Sequence, residues 1–371
     1  MPAFGIGPSS IGSLVSAISV LCVFLALPIG GIIAKYGARK LILLAFVLAI
    51  IGNVMGALAP TQEMLFVSRV IEGAGFGIFA PAAPSLIASY FPPEKRGLPM
   101  GIWSTYVGTG AFLVLVLTNV LVDFNDPNSW ANVWWFIVIA IAILAILFFI
   151  FVHPATPEKD AEDTKDKHSF IQGIKSLPSW LLAASFMIYN CGFIALTTFM
   201  PTYLKTVLMV DPASANLYTS VLTFLLIVGG FVAGFILKKI KPENKPLFYL
   251  ISMICSGIIF SLSFVYGSNM IIAFSVVAGL VLQFVPAIMF NNAPDTAPHP
   301  ALVGVAMGIM SLGQNLGGLI AGTFSGSIIE NFGWTTMTFT LIGISILAIV
   351  VTVLYVFSMK RRNQKVAANK E

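Results

Sequence analysis

Charged residues are scarce in this chain. Asp, Glu, Lys and Arg make up only 9% of the 371 residues, whereas hydrophobic residues make up 58%. Water-soluble domains carry about 25% charged residues, and a soluble fold of this length could not cover its surface with so few. The shortage excludes a soluble globular protein and indicates a polytopic integral membrane protein.

Cysteine and histidine are also rare, with three of each. Cys22, Cys191 and Cys255 are scattered through apolar runs, so they predict neither a disulfide framework nor a metal site. The histidines fall in loops, so the buried constellation that a membrane enzyme needs is missing. No phosphate-binding glycine loop is present either. We therefore expect no enzyme activity and no cofactor.

Long apolar runs are abundant, and they predict an all-α membrane fold. A spanning helix needs about 20 residues, whereas barrel strands would alternate in segments of about 10. Eleven runs meet the helix length: Ser9–Ile33, Lys40–Leu58, Met64–Tyr90, Gly97–Leu121, Trp130–Val152, Trp180–Tyr203, Ala213–Leu237, Leu247–Tyr266, Asn269–Asn292, Leu302–Ile329 and Trp334–Phe357.

The basic residues predict the orientation. If the first run starts outside, 18 of the 20 Lys and Arg residues lie in cytoplasmic segments, as the positive-inside rule requires. We expect a multi-pass protein of the plasma membrane with a cytoplasmic C-terminus. The net charge of +5 then reflects topology and not a nucleic-acid partner. Trp134 lies near an outer helix end, where tryptophans anchor helices at the interface.

An internal repeat divides the chain into two halves. The segment Gly97–Ser104 recurs as Gly304–Ser311, and Gly110 falls on Gly317 at the same offset of 207 residues (304 − 97). A parallel repeat in a membrane chain is typical of a two-half transporter.

The repeat and the polar break after the fifth run predict the domain organisation. We expect an N-terminal half at 1–153 with five helices, a cytoplasmic linker at 154–179, a C-terminal half at 180–358 with six helices, and a basic cytoplasmic tail at 359–371. The linker assignment depends on mixed charges and few large apolar residues. A regulatory site in the linker is the alternative.

One glycine-rich basic loop carries a family signature. It resembles the inner loop between the second and third helices of major facilitator superfamily transporters, with Ala34 in place of the usual aspartate. The resemblance assigns these matching positions to a gating loop: Gly30, Lys35, Gly37, Arg39 and Lys40.

Three further segments resemble the same family: Arg69–Gly77, Tyr90–Gly97 and Gly234–Lys239. The resemblance implies a helical bundle of two six-helix halves and secondary active transport by alternating access. At the repeat offset, the counterpart of Trp180–Tyr203 falls before residue 1. We therefore expect the family's first helix to lie upstream, the alternative being a natural eleven-helix variant.

Two charged residues within one span are the first candidates for function, because charge inside a membrane is costly. Arg69 and Glu72 are three residues apart, so they share a helix face and can pair. Arg69 is expected to attract an anionic solute and Glu72 to exchange a coupling proton. The alternative is a fixed ion pair that holds helices together.

Uncharged polar residues near mid-span are the next candidates, because transporter sites lie near the membrane midplane between the repeats. Interhelical hydrogen bonds, worth about 0.6 kcal/mol each, are the alternative role. The predicted substrate-binding positions are Tyr106, Thr109, Asn190, Gln283, Gln314 and Asn315.

The function predicted from these features is gradient-driven transport of a small solute. Uptake symport is favoured over multidrug efflux, because Gly108–Phe112 lacks the glycine–proline step usual in drug-exporting members of the family. A truncated, non-transporting remnant or sensor is the alternative. The expected partners are the lipid bilayer, the solute and a possible coupling ion, with the chain acting as a monomer.

Overall fold

The computed structural model describes residues 7–26, 28–90, 103, 105–123, 126, 128–153, 170–240, 244–298 and 302–368. Within these ranges the chain is helical and contains no strand, which confirms the all-α prediction. The helices are α1 (Pro8–Leu25), α2 (Ile29–Tyr36), α3 (Ala38–Ala57), α4 (Gln62–Tyr90), α5 (Tyr106–Leu121), α6 (Ala131–Phe151), α7 (Phe170–Ile174), α8 (Leu177–Thr206), α9 (Pro212–Lys239), α10 (Lys245–Leu262), α11 (Ile271–Leu282), α12 (Phe284–Asn292) and α13 (Val303–Ala368).

Some predicted features fall outside these ranges. Most of the first repeat copy, most of the motif Tyr90–Gly97 and residues 154–169 of the linker lie outside the described residues. The domain boundaries therefore stay predictions.

Glycine and proline place the helix breaks. Pro28 falls inside the first predicted span, and proline lacks an N–H and clashes with the preceding turn, so the span divides into α1 and α2. Conversely, α13 runs through two predicted spans and turns only at Gly333, where φ is +80°. Glycine adopts this conformation without steric cost.

Nine helices among the described residues are long and apolar enough to cross a membrane, and α5 is a shorter apolar helix. One of the nine apolar stretches, Val305–Arg362, covers both spans joined at Gly333. The multi-pass prediction is therefore confirmed, while the total of eleven spans stays a prediction.

Two helix pairs join the halves. The first part of α13 packs along α1, and α5 packs against α9. Small residues permit the first contact, because a Cβ added to Gly12 would lie 1.9 Å from the carbonyl oxygen of Gly322. Close backbone approach of this kind is how small residues stabilise helix pairs in membranes.

The core lies mainly in the second half. Helix α8 buries sixteen of its 30 residues and packs against α9, α10 and α13. In the first half, Val133 is the one buried residue of α6, which packs chiefly against α3. The polar candidates therefore lie in two different surroundings.

Candidate functional site

Arg69 and Glu72 form an ion pair inside the apolar span of α4. Nη2 of Arg69 lies 2.6 Å from Oε2 of Glu72, which confirms the pairing that their spacing predicts. Their side chains are 17% and 25% exposed. Nε of Arg69 is buried and has no hydrogen-bond partner in the part of the chain that the structure describes. The guanidinium therefore retains an unused donor.

Helices α3 and α6 surround this ion pair. Cζ of Arg69 lies 3.8 Å from the ring centroid of Trp134, a cation–π contact. On the α3 side, a Cβ added to Gly52 would lie 2.8 Å from the backbone nitrogen of Glu72, and the next residue, Asn53, is 1% exposed and donates through Nδ2 to the backbone oxygen of Ala49 at 2.8 Å. The ring of Trp134 also covers Gly56, where an added Cβ would overlap it. Trp134 thus orients Arg69, a role that its position near a helix end does not predict.

A second polar site lies where α8 meets α13. Nδ2 of Asn190 donates to the backbone oxygen of Gln314 at 2.8 Å, and Asn190 is buried. Ser19 of α1 reaches the same place, since its Oγ lies 2.7 Å from a Cβ added to Gly318. This site therefore brings together both halves of the chain. One donor of Asn190 makes the interhelical bond that the sequence analysis leaves as an alternative.

Gln283 marks the junction of α11 and α12. Pro286 lacks the N–H that would donate to the carbonyl oxygen of Leu282 in a continuous helix. The hydroxyl of Tyr189 donates to that oxygen at 2.5 Å. The Cγ atom of Gln283 faces Gly230 of α9, 3.2 Å from the position of an added Cβ. A broken helix near mid-span is a common place for transporter binding sites.

Tyr106 belongs to an aromatic cluster. Its ring stacks on Trp103 with centroids 4.7 Å apart, and Phe76 of α4 lies 6.1 Å away. Thr109 is half-buried one turn later. Asn315 donates within its own helix, to the oxygen of Ser311 at 2.9 Å. No hydrogen bond among the described residues joins Tyr106, Thr109 or Asn315 to the other candidates.

The basic loop predicted to gate transport holds the end of α6. Nη2 of Arg39 donates to the oxygen of Phe149 at 2.8 Å, and Nε donates to that of Val152 at 2.5 Å. Carbonyls in the last turn of a helix have no partner within the helix, so Arg39 supplies one. Gly37 has φ +83°, which favours glycine. Gly30 and Lys35 lie on α2, and Lys40 is exposed on α3.

The described contacts thus separate the candidates into a charged site on α4, a polar site between α8 and α13, and a helix break at Gln283. The sequence predicts the charged pair by spacing alone. It does not reveal Trp134 or Tyr189, because their roles depend on which helices become neighbours. Pro286 is the one sequence signal that points to the role of Tyr189, since this proline leaves the carbonyl oxygen of Leu282 without a helical donor.

Known proteins resemble this chain along most of its length. The family model described as Major Facilitator Superfamily matches residues 1–301 and 244–371. The nitrite extrusion protein of Bacillus subtilis is 26% identical over 97% of this chain and 88% of its own length. Sodium-dependent phosphate transport protein 1 of Mus musculus is 24% identical over 94% of this chain and 81% of its own length.

A solved structure supports the same fold. The crystal structure of a mutant of the nucleoside transporter NupG superposes with a TM-score of 0.71, covering 94% of this chain and 91% of that one at 16% identity. This level of identity speaks for the fold alone. With the family model matching across the chain, the two-half helical bundle and the shared motifs have one explanation: the chain belongs to the major facilitator superfamily, a family of non-enzymatic transport proteins.

Proposed function

We propose that this chain takes up a small anionic solute together with a proton, using Arg69 and Glu72. Secondary transport of small solutes follows from the family; the anion, the proton and the direction of transport are our proposal. The observation that carries it is the ion pair on α4, which keeps a buried, unpartnered Nε. An arriving anion can use that donor while Glu72 is protonated and releases its hold on the guanidinium.

The relatives support an anion as substrate. Two of them are named for nitrite and for phosphate, and both ions offer several oxygens to a guanidinium, which binds such groups through paired donors. One name refers to extrusion and the other to sodium, so the direction and the coupling ion need a direct test. Polar positions near the path complete the proposed site: Tyr106, Thr109, Asn190, Gln283, Gln314 and Asn315.

Transport by purified chain in proteoliposomes tests the role of Glu72. We expect an imposed proton gradient to drive accumulation of nitrite or phosphate. Glu72→Gln, which mimics the protonated carboxyl, should abolish accumulation but preserve exchange of labelled for unlabelled solute, since exchange needs no deprotonation. Glu63→Gln is the matched control, because Glu63 is exposed at the start of the same helix. Normal accumulation by Glu72→Gln would refute proton coupling at this residue.

The role of Arg69 is tested in the same vesicles. Losing a hydrogen bond to a charged group costs about 1.5–3 kcal/mol, so Arg69→Gln should raise KM for the anion about 10- to 100-fold. Arg69→Lys should recover part of the affinity, because it retains the positive charge. A panel that includes an uncharged nucleoside identifies the solute class. Equal KM values in the wild type and Arg69→Gln would rule out anion binding here.

A non-transporting remnant or sensor is the second candidate. The observation in its favour is the sparse packing of α6, in which Val133 is the one buried residue. Uptake of any solute by the purified chain above that of empty liposomes would eliminate this candidate. Solute binding without any uptake would favour it over transport.

A further inference from the structure

A groove of about 930 Å³ lies where α8 begins and α13 nears its end. One wall is apolar, and its side chains are those of Leu177, Leu181, Leu354 and Phe357. Basic side chains lie at the rim: Lys175, Arg361 and Arg362. We propose that this groove binds one anionic phospholipid, with its phosphate at the basic rim and an acyl chain along the apolar wall.

Hydrogen bonds hold several segments that line the groove in place. Arg362 donates through Nη1 to the oxygens of Thr296 at 2.8 Å and Asp295 at 3.1 Å, and through Nη2 to Ala297. Oγ of Ser176 donates to the oxygen of Thr296 at 2.7 Å, and Oγ of Ser179 donates to its Oγ1 at 2.9 Å. These bonds tie α8, α13 and the connection between α12 and α13 into one frame.

Two cations remain available in this frame. Lys175 and Arg361 are exposed, and neither forms an ion pair within the described part of the chain. Arg362 is already hydrogen-bonded to backbone oxygens, and it holds these segments together. The groove therefore presents two cationic side chains that a lipid phosphate can contact, beside Arg362, whose positive charge its bonds to neutral carbonyls leave in place.

The side chains around the groove are those expected at the depth of a lipid headgroup. Trp180, one turn into α8, is 39% exposed and donates through Nε1 to the oxygen of Ile174 at 2.6 Å. Tryptophans favour the boundary between membrane and water. Leu177 and Phe357 are 61% and 59% exposed, as expected for side chains facing acyl chains. The predicted orientation assigns this boundary to the cytoplasmic leaflet, where anionic lipids concentrate.

The apolar and basic parts of the groove together favour one class of ligand. A soluble phosphate would leave the apolar wall uncovered, and a lipid without net charge would leave the positive charge of the groove uncompensated. Basic pockets between transmembrane helices on the cytoplasmic side suit anionic headgroups. An anionic phospholipid satisfies both walls at once.

Native mass spectrometry of the purified chain tests the site, with phosphatidylglycerol as the probe and phosphatidylcholine for comparison. We expect one phosphatidylglycerol to be retained in preference to phosphatidylcholine. Each basic residue near an anionic surface contributes about fivefold in affinity, so Lys175→Gln/Arg361→Gln should weaken retention roughly 30-fold. Phe357→Ala should also weaken it, by several-fold, since the apolar wall shortens.

The matched control is Lys205→Gln/Lys239→Gln, which removes two exposed charges that do not line the groove. Equal weakening in this control would show diffuse attraction and overturn the proposal. If soluble glycerol 3-phosphate, at a concentration equal to that of phosphatidylglycerol, displaces the lipid, the groove is a site for a free anion instead. If phosphatidylglycerol is retained only after the acidic residues between 158 and 166 are neutralised, then that segment of the chain, and not a lipid, is the ligand of the groove.

Discussion

Gly12 and Gly110 differ in what surrounds them, and together they test the contact between the halves. A Cβ at Gly12 would lie 1.9 Å from the carbonyl oxygen of Gly322, whereas a Cβ at Gly110 meets nothing within 4 Å. Gly12→Ala must push α1 and α13 apart, which we expect to cost about 1–3 kcal/mol. Thermal unfolding in detergent should show a lower Tm for Gly12→Ala and no loss for Gly110→Ala. Equal Tm values would contradict this tight contact.

Trp134 offers a second test, directed at the ion pair. Trp134→Leu removes the ring that covers the Arg69 guanidinium, and a desolvated cation–π contact is worth about 2 kcal/mol. We expect a lower free energy of unfolding and a smaller loss for Trp134→Phe, which retains a ring. Trp135→Leu is the control, since its side chain is 40% exposed. A larger loss of unfolding free energy for Trp135→Leu than for Trp134→Leu would contradict the proposed role of Trp134.

Single residues show where sequence reasoning succeeds and where it stops. The Arg69–Glu72 pair is predictable because both members lie on one helix, and helix geometry fixes which positions meet. Asn190 is predicted near mid-span from its position in the apolar run, but its bond to Gln314 depends on the distance between two helices. The contacts of Trp134 are not predictable for the same reason, because its neighbours come from two other helices, α3 and α4.

Among the elements, the break between α11 and α12 carries a testable coupling. Tyr189 donates to the Leu282 oxygen that Pro286 leaves unpaired. Tyr189→Phe should therefore destabilise the chain by about 1–3 kcal/mol, the cost of a buried unsatisfied acceptor. In the Pro286→Ala background the restored N–H can take over, so the loss should shrink. Chemical denaturation of the four proteins in the cycle measures the coupling, and additive losses would argue against it.

The sequence predicts which segments form helices, but it does not predict where those helices break or join. Uninterrupted apolar length predicts each span, since only a helix pairs its backbone within the segment in lipid. Pro28 lies inside a predicted span, and the division into α1 and α2 follows from its missing N–H. The turn at Gly333 joins two spans directly, because one positive φ redirects the chain without a loop.

At the scale of the whole molecule, the repeat relates α6 to the second part of α13, since residue 131 plus 207 gives 338. That part buries Leu341, Ala348 and Tyr355 against α8 and α10, whereas α6 buries Val133 alone. Among the described residues, α6 packs against α3 and α5. The upstream helix predicted from the repeat stays a prediction.

The two halves are joined at the helix ends that the charge bias assigns to the outside. The backbone N–H of Ser9 donates to Oε2 of Glu330 at 2.8 Å, and that of Thr323 donates to Oγ of Ser16 at 2.9 Å. On the other helix pair, Asn119 donates to the oxygen of Ala213 at 2.9 Å. Two further bonds, Ser9 to Ser327 and Asn216 to Asn119, join the halves at the same end, and we expect these bonds to break if the solute enters from this side.

A reversible cross-link tests whether this opening is part of transport. The hydroxyl oxygens of Ser9 and Ser327 lie 3.3 Å apart, so the two side chains face each other, as two cysteines must before they can be oxidised to a disulfide. We expect oxidised Ser9→Cys/Ser327→Cys to lose uptake and a reductant to restore it. The single-cysteine variants control for the native Cys22, Cys191 and Cys255 and should transport under both conditions. If the cross-linked protein transports at the normal rate, the halves do not separate at α1 and α13, and the solute must enter by a path that leaves this contact closed.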